Sequence, residues 1–154
     1  MITLTDYWMG RNETHADECT LDIQDNAKFT VDAVNPLLDA FFNDTGIILA
    51  VASGWRPKSV NDATSNAAQF SKHITAQAVD IRDTEARDLA NWVALNIPKL
   101  AECNLYCERF EWTGGEHPWV HFSPCAPKSQ KRFYIPSANP PLVARMEIQD
   151  EMNC

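Results

Sequence analysis

The stretch SKHITAQAVD, residues 71–80, constrains the fold more than any other part of this sequence. His73 and Asp80 are of residue types that bind metal ions. In one straight strand they would lie ~23 Å apart, and on one helix they would lie ~10.5 Å apart. Two ligands of one zinc ion lie only ~3–3.5 Å from each other. If both bind one metal, the chain must fold back near residues 75–77; the alternative is an ordinary turn between two core segments.

A third metal ligand would have to come from another strand, and the remaining histidines are His15, His117 and His121. His121 lies in WVHFS, residues 119–123, an apolar run that predicts a strand. His117 precedes Pro118, which favours an extended or turn conformation. HPWVH does not match the zincin motif, because that motif requires a glutamate directly after the first histidine. A zincin helix is therefore excluded.

Hydrophobic periodicity and turn residues predict the order of the helices and strands. Apolar residues at three- and four-residue steps predict an amphipathic helix over 20–44, with a kink or break at Pro36. Thr84 predicts the start of a helix that runs to about residue 96 and stops at Pro98. A short helix is expected around 59–63, and strands are expected over 47–53, 104–112 and 119–123 and near RFYIP, residues 132–136.

Composition limits the domain count and the kinds of partner. A chain of 154 residues, 45% hydrophobic and 22% charged, is typical of one soluble domain. Prolines after residue 123 predict an irregular C-terminal segment from about 124, and the last dozen residues are expected to form a loose helix or fray. The net charge of −8 argues against nucleic acid as a partner.

The sequence shows neither a membrane span nor a disulfide framework. No apolar run approaches the ~18 residues that cross a bilayer, and the N-terminus does not resemble a signal peptide. We therefore expect no membrane insertion and a protein made in a cytoplasm. The five cysteines are expected to be free, partly buried thiols, although Cys103, Cys107 and Cys125 could in principle hold a second metal.

Two stretches, SGWRPKSVNDATSNAAQFSKHITAQAVDI and WVHFS, together resemble the zinc D-Ala-D-Ala carboxypeptidase and L-Ala-D-Glu peptidase family of cell-wall enzymes, above all its phage-encoded, endolysin-type members. The family pattern is S-G-[YW]-R-P, then S-x-H-x-x-G-x-A-x-D, then W-x-H. The matching residues here are Arg56, Ser71, His73, Ala78, Asp80, Trp119 and His121. NAA at 66–68 and RFYIP also match, so the resemblance covers nearly the whole chain.

The resemblance implies a role for several residues. His73, Asp80 and His121 would bind one catalytic zinc ion, which leaves a fourth position for water. Arg56 would bind substrate and polarise the scissile carbonyl, its alternative being a surface salt bridge. Ser71 would bind substrate or hydrogen-bond the turn, and His117 would orient substrate or serve as a turn residue.

The candidates for the general base are Glu108, Glu111 and Glu116. The resemblance places a glutamate at Glu108, in LYCE. If 104–112 and 119–123 pair as a hairpin whose turn is simply enlarged, Glu108 lies opposite His121 and on its face of the sheet. Glu111 would lie on the other face, and Glu116 would need the turn to curl back. We therefore assign the catalytic base to Glu108.

One position departs from the family pattern, because Ala76 stands where the family has glycine. If that position requires a positive φ angle, alanine costs ~1 kcal/mol. The expected ligands are intact, so the change is interpreted as tolerated variation. It is also the one feature in favour of a decayed site.

These observations lead to one expectation for fold and function. The fold should be α+β, with a small, mainly antiparallel sheet that carries the zinc site and helices packed on one side, similar to Hedgehog and D,D-peptidase domains. The resemblance implies a monomeric zinc metallopeptidase that hydrolyses stem peptides of bacterial peptidoglycan in phage lysis, made in the bacterial cytoplasm and acting on the wall after release or as a phage component. The alternative is a non-catalytic zinc-containing binding module or virion structural module of the same fold.

Overall fold

A computed structural model describes residues 1–64, 67–110, 113 and 116–134 of the chain. Helices and strands alternate irregularly along this part. In chain order they are α1 (Leu4–Trp8), α2 (Arg11–Thr14), α3 (Leu21–Thr45), β1 (Val51–Ser53), α4 (Lys58–Ala63), β2 (Val79–Arg82), α5 (Asp88–Leu95), α6 (Ile97–Glu102), β3 (Tyr106–Glu108), β4 (Trp119–Ser123) and β5 (Phe133–Tyr134).

The five strands form one sheet in the order β1-β2-β4-β3-β5. Neighbouring strands are antiparallel except β3 and β5, which are parallel. The helices lie on one side of this sheet. The predicted mixed architecture, with a small and mainly antiparallel sheet, is therefore confirmed.

Alternating burial divides the sheet into an apolar and a polar face. In β2, Val79 and Ile81 are fully buried within the core, and Asp80 between them points to the opposite face. In β4, Val120 and Phe122 are buried in the same core on either side of His121. The apolar face closes the core, which leaves the polar face to carry the candidate site.

Helix α3 is the longest element, and its ends follow from two residues. The Thr20 side chain accepts a hydrogen bond from the Ile23 N–H, and Gly46 closes the C-terminus at φ 73°. The helix continues through Pro36, so the predicted break does not occur. Its buried residues lie on both sides of that proline, and packing outweighs the lost backbone hydrogen bond. They are Ala27, Thr30, Val31, Val34, Leu37, Leu38 and Phe41.

The helix predicted over 84–96 begins later, at Asp88, and ends at Leu95. The buried Asp83 carboxylate accepts hydrogen bonds from the N–H groups of Leu89 and Ala90, and the Thr84 hydroxyl accepts one from Asp88. Arg87 precedes the helix in the left-handed conformation, at φ 62°. Asp83 therefore accepts hydrogen bonds from backbone N–H groups of the first turn, as does Thr84, the expected cap.

Three further predictions differ from the structure. Pro98 does not end a helix but lies in the first turn of α6, a position that tolerates proline. The strand expected over 47–53 is reduced to Val51–Ser53, and Ile48 is exposed. Of the strand expected over 104–112, the described residues 104–110 contain a strand at Tyr106–Glu108.

The short strand predicted near RFYIP is present as β5. Cys19, Cys103, Cys107 and Cys125 are free, as expected. The last dozen residues, Cys154, Glu111 and part of the NAA block lie outside the described residues. Within the described ranges, no helix combines the length and the apolar character that crossing a bilayer requires.

Gly54 is a position where the fold has no room for a side chain. A Cβ added there would overlap the carbonyl oxygen of Tyr7. We expect Gly54→Ala to lower the free energy of unfolding by ~3 kcal/mol, because rigid backbone cannot yield. Gly46→Ala is the matched control, since nothing lies near its Cβ and only its positive φ costs ~1 kcal/mol. Urea unfolding measures both, and a smaller loss for Gly54→Ala than for Gly46→Ala would contradict the packing.

A candidate metal centre on the polar face

The chain between His73 and Asp80 folds back through a turn over residues 72–76, as the spacing requires. Each carbonyl of residues 74–78 accepts a hydrogen bond of 2.7–3.1 Å from a side chain of another segment. In the order of those carbonyls, the donors are Trp55, Asn26, Thr30, Ser123 and Tyr7. The turn is therefore held in place by four separate parts of the chain.

Ala76 occupies the left-handed region inside this turn, at φ 55°. The sequence pattern has glycine at this position, and the backbone here does adopt the positive φ angle that glycine tolerates best. Ala76 is fully buried, and its N–H donates to the carbonyl of His73 at 3.2 Å. The ~1 kcal/mol cost of alanine at such an angle is offset by the surrounding contacts.

His73, Asp80 and His121 meet at one point, with one ligand atom of each within 4.8 Å of the others. His73 comes from the turn, Asp80 from β2 and His121 from β4, directly opposite Asp80. Nε2 of His73 lies 3.3 Å from Oδ2 of Asp80, and Nδ1 of His121 lies 2.8 Å from Oδ1. All three side chains are buried. The structure thus brings together the three residues predicted as ligands.

The second nitrogen of each imidazole also has a defined neighbour. Nδ1 of His73 donates to the carbonyl oxygen of Gly54 at 2.7 Å, because a carbonyl can only accept. This leaves the lone pair on Nε2, the nitrogen that faces Asp80. Nε2 of His121 lies 4.0 Å from Oε1 of Glu108. Hydrogen bonding of the outer nitrogen to a carbonyl is the usual way in which proteins orient a metal-binding histidine.

The electrostatics of the group favour a charged carboxylate. Burial would raise the pKa of Asp80, but the charges and hydrogen bonds of His73 and His121 outweigh it and hold that pKa below its usual value. Burial would lower the pKa of His121, but Asp80 raises it above its usual value. The ionised carboxylate of Asp80 therefore lies between two imidazoles, and an ionised carboxylate is the form that binds a metal ion.

The candidate site extends beyond these residues as a row across all five strands. Ser53 pairs with Asp80, Asp80 with His121, and Glu108 with Tyr134. The pairing of Cys107 with Phe122 places the next residue, Glu108, opposite His121. Directly paired residues share a face of the sheet. One polar side chain from each strand therefore lies in a single line, and we call these five residues the polar row.

The hairpin register predicted for Glu108 is the one observed. Glu108 follows Cys107 on β3 and lies opposite His121, and its side chain is 22% exposed. Glu116 is exposed in the bend before β4. A partly exposed carboxylate beside a buried candidate metal-binding group can exchange protons with solvent or substrate.

Arg56 lies at the other end of the polar row. Its guanidinium donates to Oγ of Ser53 at 3.3 Å and to Oδ1 of Asn61 at 3.4 Å, and its N–H donates to the carbonyl of His73 at 3.1 Å. Within the described ranges, no carboxylate lies within 4.0 Å of its guanidinium. The alternative of a surface salt bridge thus finds no partner there, and the positive charge remains available to a ligand.

The other two substrate-binding candidates differ in position. Oγ of Ser71 accepts a hydrogen bond from the N–H of His73 at 3.3 Å, so this side chain braces the turn, one of its two expected roles. His117 is exposed in the bend before β4 and does not belong to the metal-binding group. A contact of either residue with substrate stays a prediction.

The donor set suits a transition metal. Two imidazoles and one carboxylate leave room for water or substrate, as in catalytic zinc sites, and the same set also binds Fe(II). Of the described residues, this is the group that could hold a metal ion, and the three cysteines considered for a second site do not form one.

Comparisons with protein-family models, with curated proteins and with solved structures found no match.

Removing one ligand should remove the metal. We expect purified protein to hold about one zinc ion per chain. His73→Ala, Asp80→Asn and His121→Ala should each lose most of it, because two protein ligands bind zinc weakly. His117→Ala is the matched control, because His117 is exposed and lies outside this group. This variant should keep full zinc occupancy. Elemental analysis by mass spectrometry, which also reports iron, measures the content; full zinc in all three variants would contradict the assignment.

Proposed function

We propose that this chain is a zinc-dependent peptidase that hydrolyses a peptide bond in bacterial peptidoglycan. The observation that carries the proposal is the arrangement of the polar row. A buried His73–Asp80–His121 group has a partly exposed carboxylate, Glu108, on one side. On the other side lies Arg56, whose guanidinium has no carboxylate partner among the residues that the structure describes. A metal ion flanked by a base and a fixed positive charge is one arrangement that can hydrolyse an amide.

The residues that would hold zinc are His73, Asp80 and His121. When bound, zinc acts as a Lewis acid towards a carbonyl and lowers the pKa of water from ~15.7 towards ~7. Glu108 accepts a proton from the attacking water and returns it to the amine that leaves. Arg56 donates hydrogen bonds to the carbonyl oxygen as negative charge develops on it.

The substrate class comes from the resemblance of the sequence to cell-wall peptidases of phage. Stem peptides of peptidoglycan carry free carboxylates, which a guanidinium recognises well. Phage lysis is the setting that the same resemblance suggests. Ser71 and His117 complete the proposed contacts with the peptide.

The substrate prediction concerns the bond that is cut. Purified muropeptides incubated with the protein should be cleaved at one defined peptide bond, and casein should be left intact. A chelator should abolish the cleavage, and added zinc should restore it. Mass spectrometry of the products measures each step. Cleavage of glycan strands without peptide cleavage would contradict the proposal, and zinc without any turnover would favour the non-catalytic module.

The second prediction concerns the base. Glu108→Gln should keep zinc and fold but lower turnover by ~10²-fold or more, because the amide cannot accept the proton. Glu116→Gln, the matched exposed control, should lose less, and Glu111→Gln should be near wild type. Turnover and zinc content are measured together.

Two outcomes would contradict this assignment in different ways. If Glu116→Gln is inactive and Glu108→Gln active, the base comes from the bend before β4. If Glu108→Gln lowers the affinity for zinc by ~10-fold or more, Glu108 orients His121 through Nε2 instead of acting as the base.

A further inference from the structure

The far end of the polar row holds a phenol that the proposed function does not use. Tyr134 lies on β5, which pairs in parallel with β3 and places it directly opposite Glu108. Its hydroxyl donates to Oε1 of Glu108 at 3.5 Å. This distance exceeds the ~2.8 Å typical of such bonds, as is common for contacts in active sites before substrate binds.

The two oxygens of Glu108 have different surroundings. Oε1 faces both the Tyr134 hydroxyl and Nε2 of His121, at 3.5 and 4.0 Å. In the part of the chain that the structure describes, no hydrogen bond reaches Oε2. The carboxylate is thus held through one oxygen, and the other is left to accept a proton.

The Tyr134 hydroxyl is suited to be a permanent donor. Burial raises the pKa of Tyr134 above its usual value, and the nearby charge of Glu108 raises it further. The phenol therefore keeps its proton at neutral pH. A glutamate side chain has three rotatable bonds, so without such an anchor its carboxylate would sample several orientations.

We propose that Tyr134 is a positioning residue for Glu108, whose hydroxyl holds Oε1 so that Oε2 faces the reacting water and the leaving amine. The catalytic consequence rests on the proposed function, but the contact itself does not. Positioning of a base matters because proton transfer rates fall steeply when the reacting atoms are misaligned.

The contact is tested without any activity measurement by a double-mutant cycle in urea unfolding of metal-free protein. Tyr134→Phe removes only the hydroxyl, and Glu108→Ala removes the acceptor. We expect the effects of the two changes on the unfolding equilibrium constant to be coupled by ~5-fold or more. Tyr106→Phe is the matched control, because it removes a phenol hydroxyl on β3 and keeps the ring that lies 4.3 Å from the Arg132 guanidinium. It should show no coupling to Glu108→Ala.

The positioning role is tested by steady-state kinetics on muropeptides. Tyr134→Phe should lower kcat by ~10-fold and leave KM and zinc content unchanged, because the contact acts on the base and not on binding. In a Glu108→Gln background the same change should have no further effect on kcat. Tyr106→Phe should retain wild-type kcat.

The two tests separate the inference from the proposed function. Additive effects in the unfolding cycle would overturn the inference, whatever the assays show. An active enzyme whose Tyr134→Phe variant keeps wild-type kcat would also overturn it. Coupling in a protein that cleaves no peptide would support the Tyr134–Glu108 contact and refute the proposed function alone.

Discussion

The backbone of residues 74–78 forms no strand, and the rest of the site depends on side chains from other segments that bond its carbonyls. A buried carbonyl without a partner costs ~1–3 kcal/mol. The hydrogen bonds to Ala76 and Ala78 are buried and those to Ile74 and Gln77 are partly buried, so these carbonyls need their donors. Side chains from α1, α3, β4 and the segment after β1 supply the donors. These contacts fix the turn that carries His73 and thereby its place in the candidate metal-binding group.

The polar row adds a second constraint, since it ties the chemistry to the register of the sheet. A slip of one residue between β2 and β4 would turn Asp80 or His121 into the core and expose an apolar residue in its place. Val79 and Ile81 on the opposite face prevent that slip, because both are fully buried. The residues that hold the sheet together are thus the same ones that keep the polar side chains aligned.

Part of this arrangement could be predicted from the sequence. The strand WVHFS has the predicted bounds. A turn near residues 75–77 follows from the sequence distance between His73 and Asp80. The pairing of β3 with β4 as a hairpin places Glu108 opposite His121. These features depend on neighbours that are close along the chain or in one strand pair. Helix α3 was likewise predicted from a local pattern, the apolar residues at three- and four-residue steps.

The remaining features depend on contacts between residues far apart in the sequence. Tyr7 donates to the carbonyl of Ala78, 71 positions away. Tyr134 belongs to the polar row through the parallel pairing of β5 with β3, which no local sequence pattern predicts. The sequence pattern predicts Thr84 as the cap, and nothing local shows that Asp83 is buried beside the first turn. The capping role of Asp83 was therefore not predicted. The continuation of α3 through Pro36 reflects packing on both sides of the proline, which local propensity does not include.

We propose that the two imidazoles and the one carboxylate of the polar face hold a zinc ion. X-ray absorption spectroscopy at the zinc edge of the loaded protein tests it most directly, because it reports the atoms bonded to the metal. Ligation by His73, Asp80 and His121 should give nitrogen and oxygen neighbours at ~2.0–2.2 Å with the signature of two imidazole rings. Sulfur neighbours at ~2.3 Å would contradict it, because they would show that cysteines bind the ion.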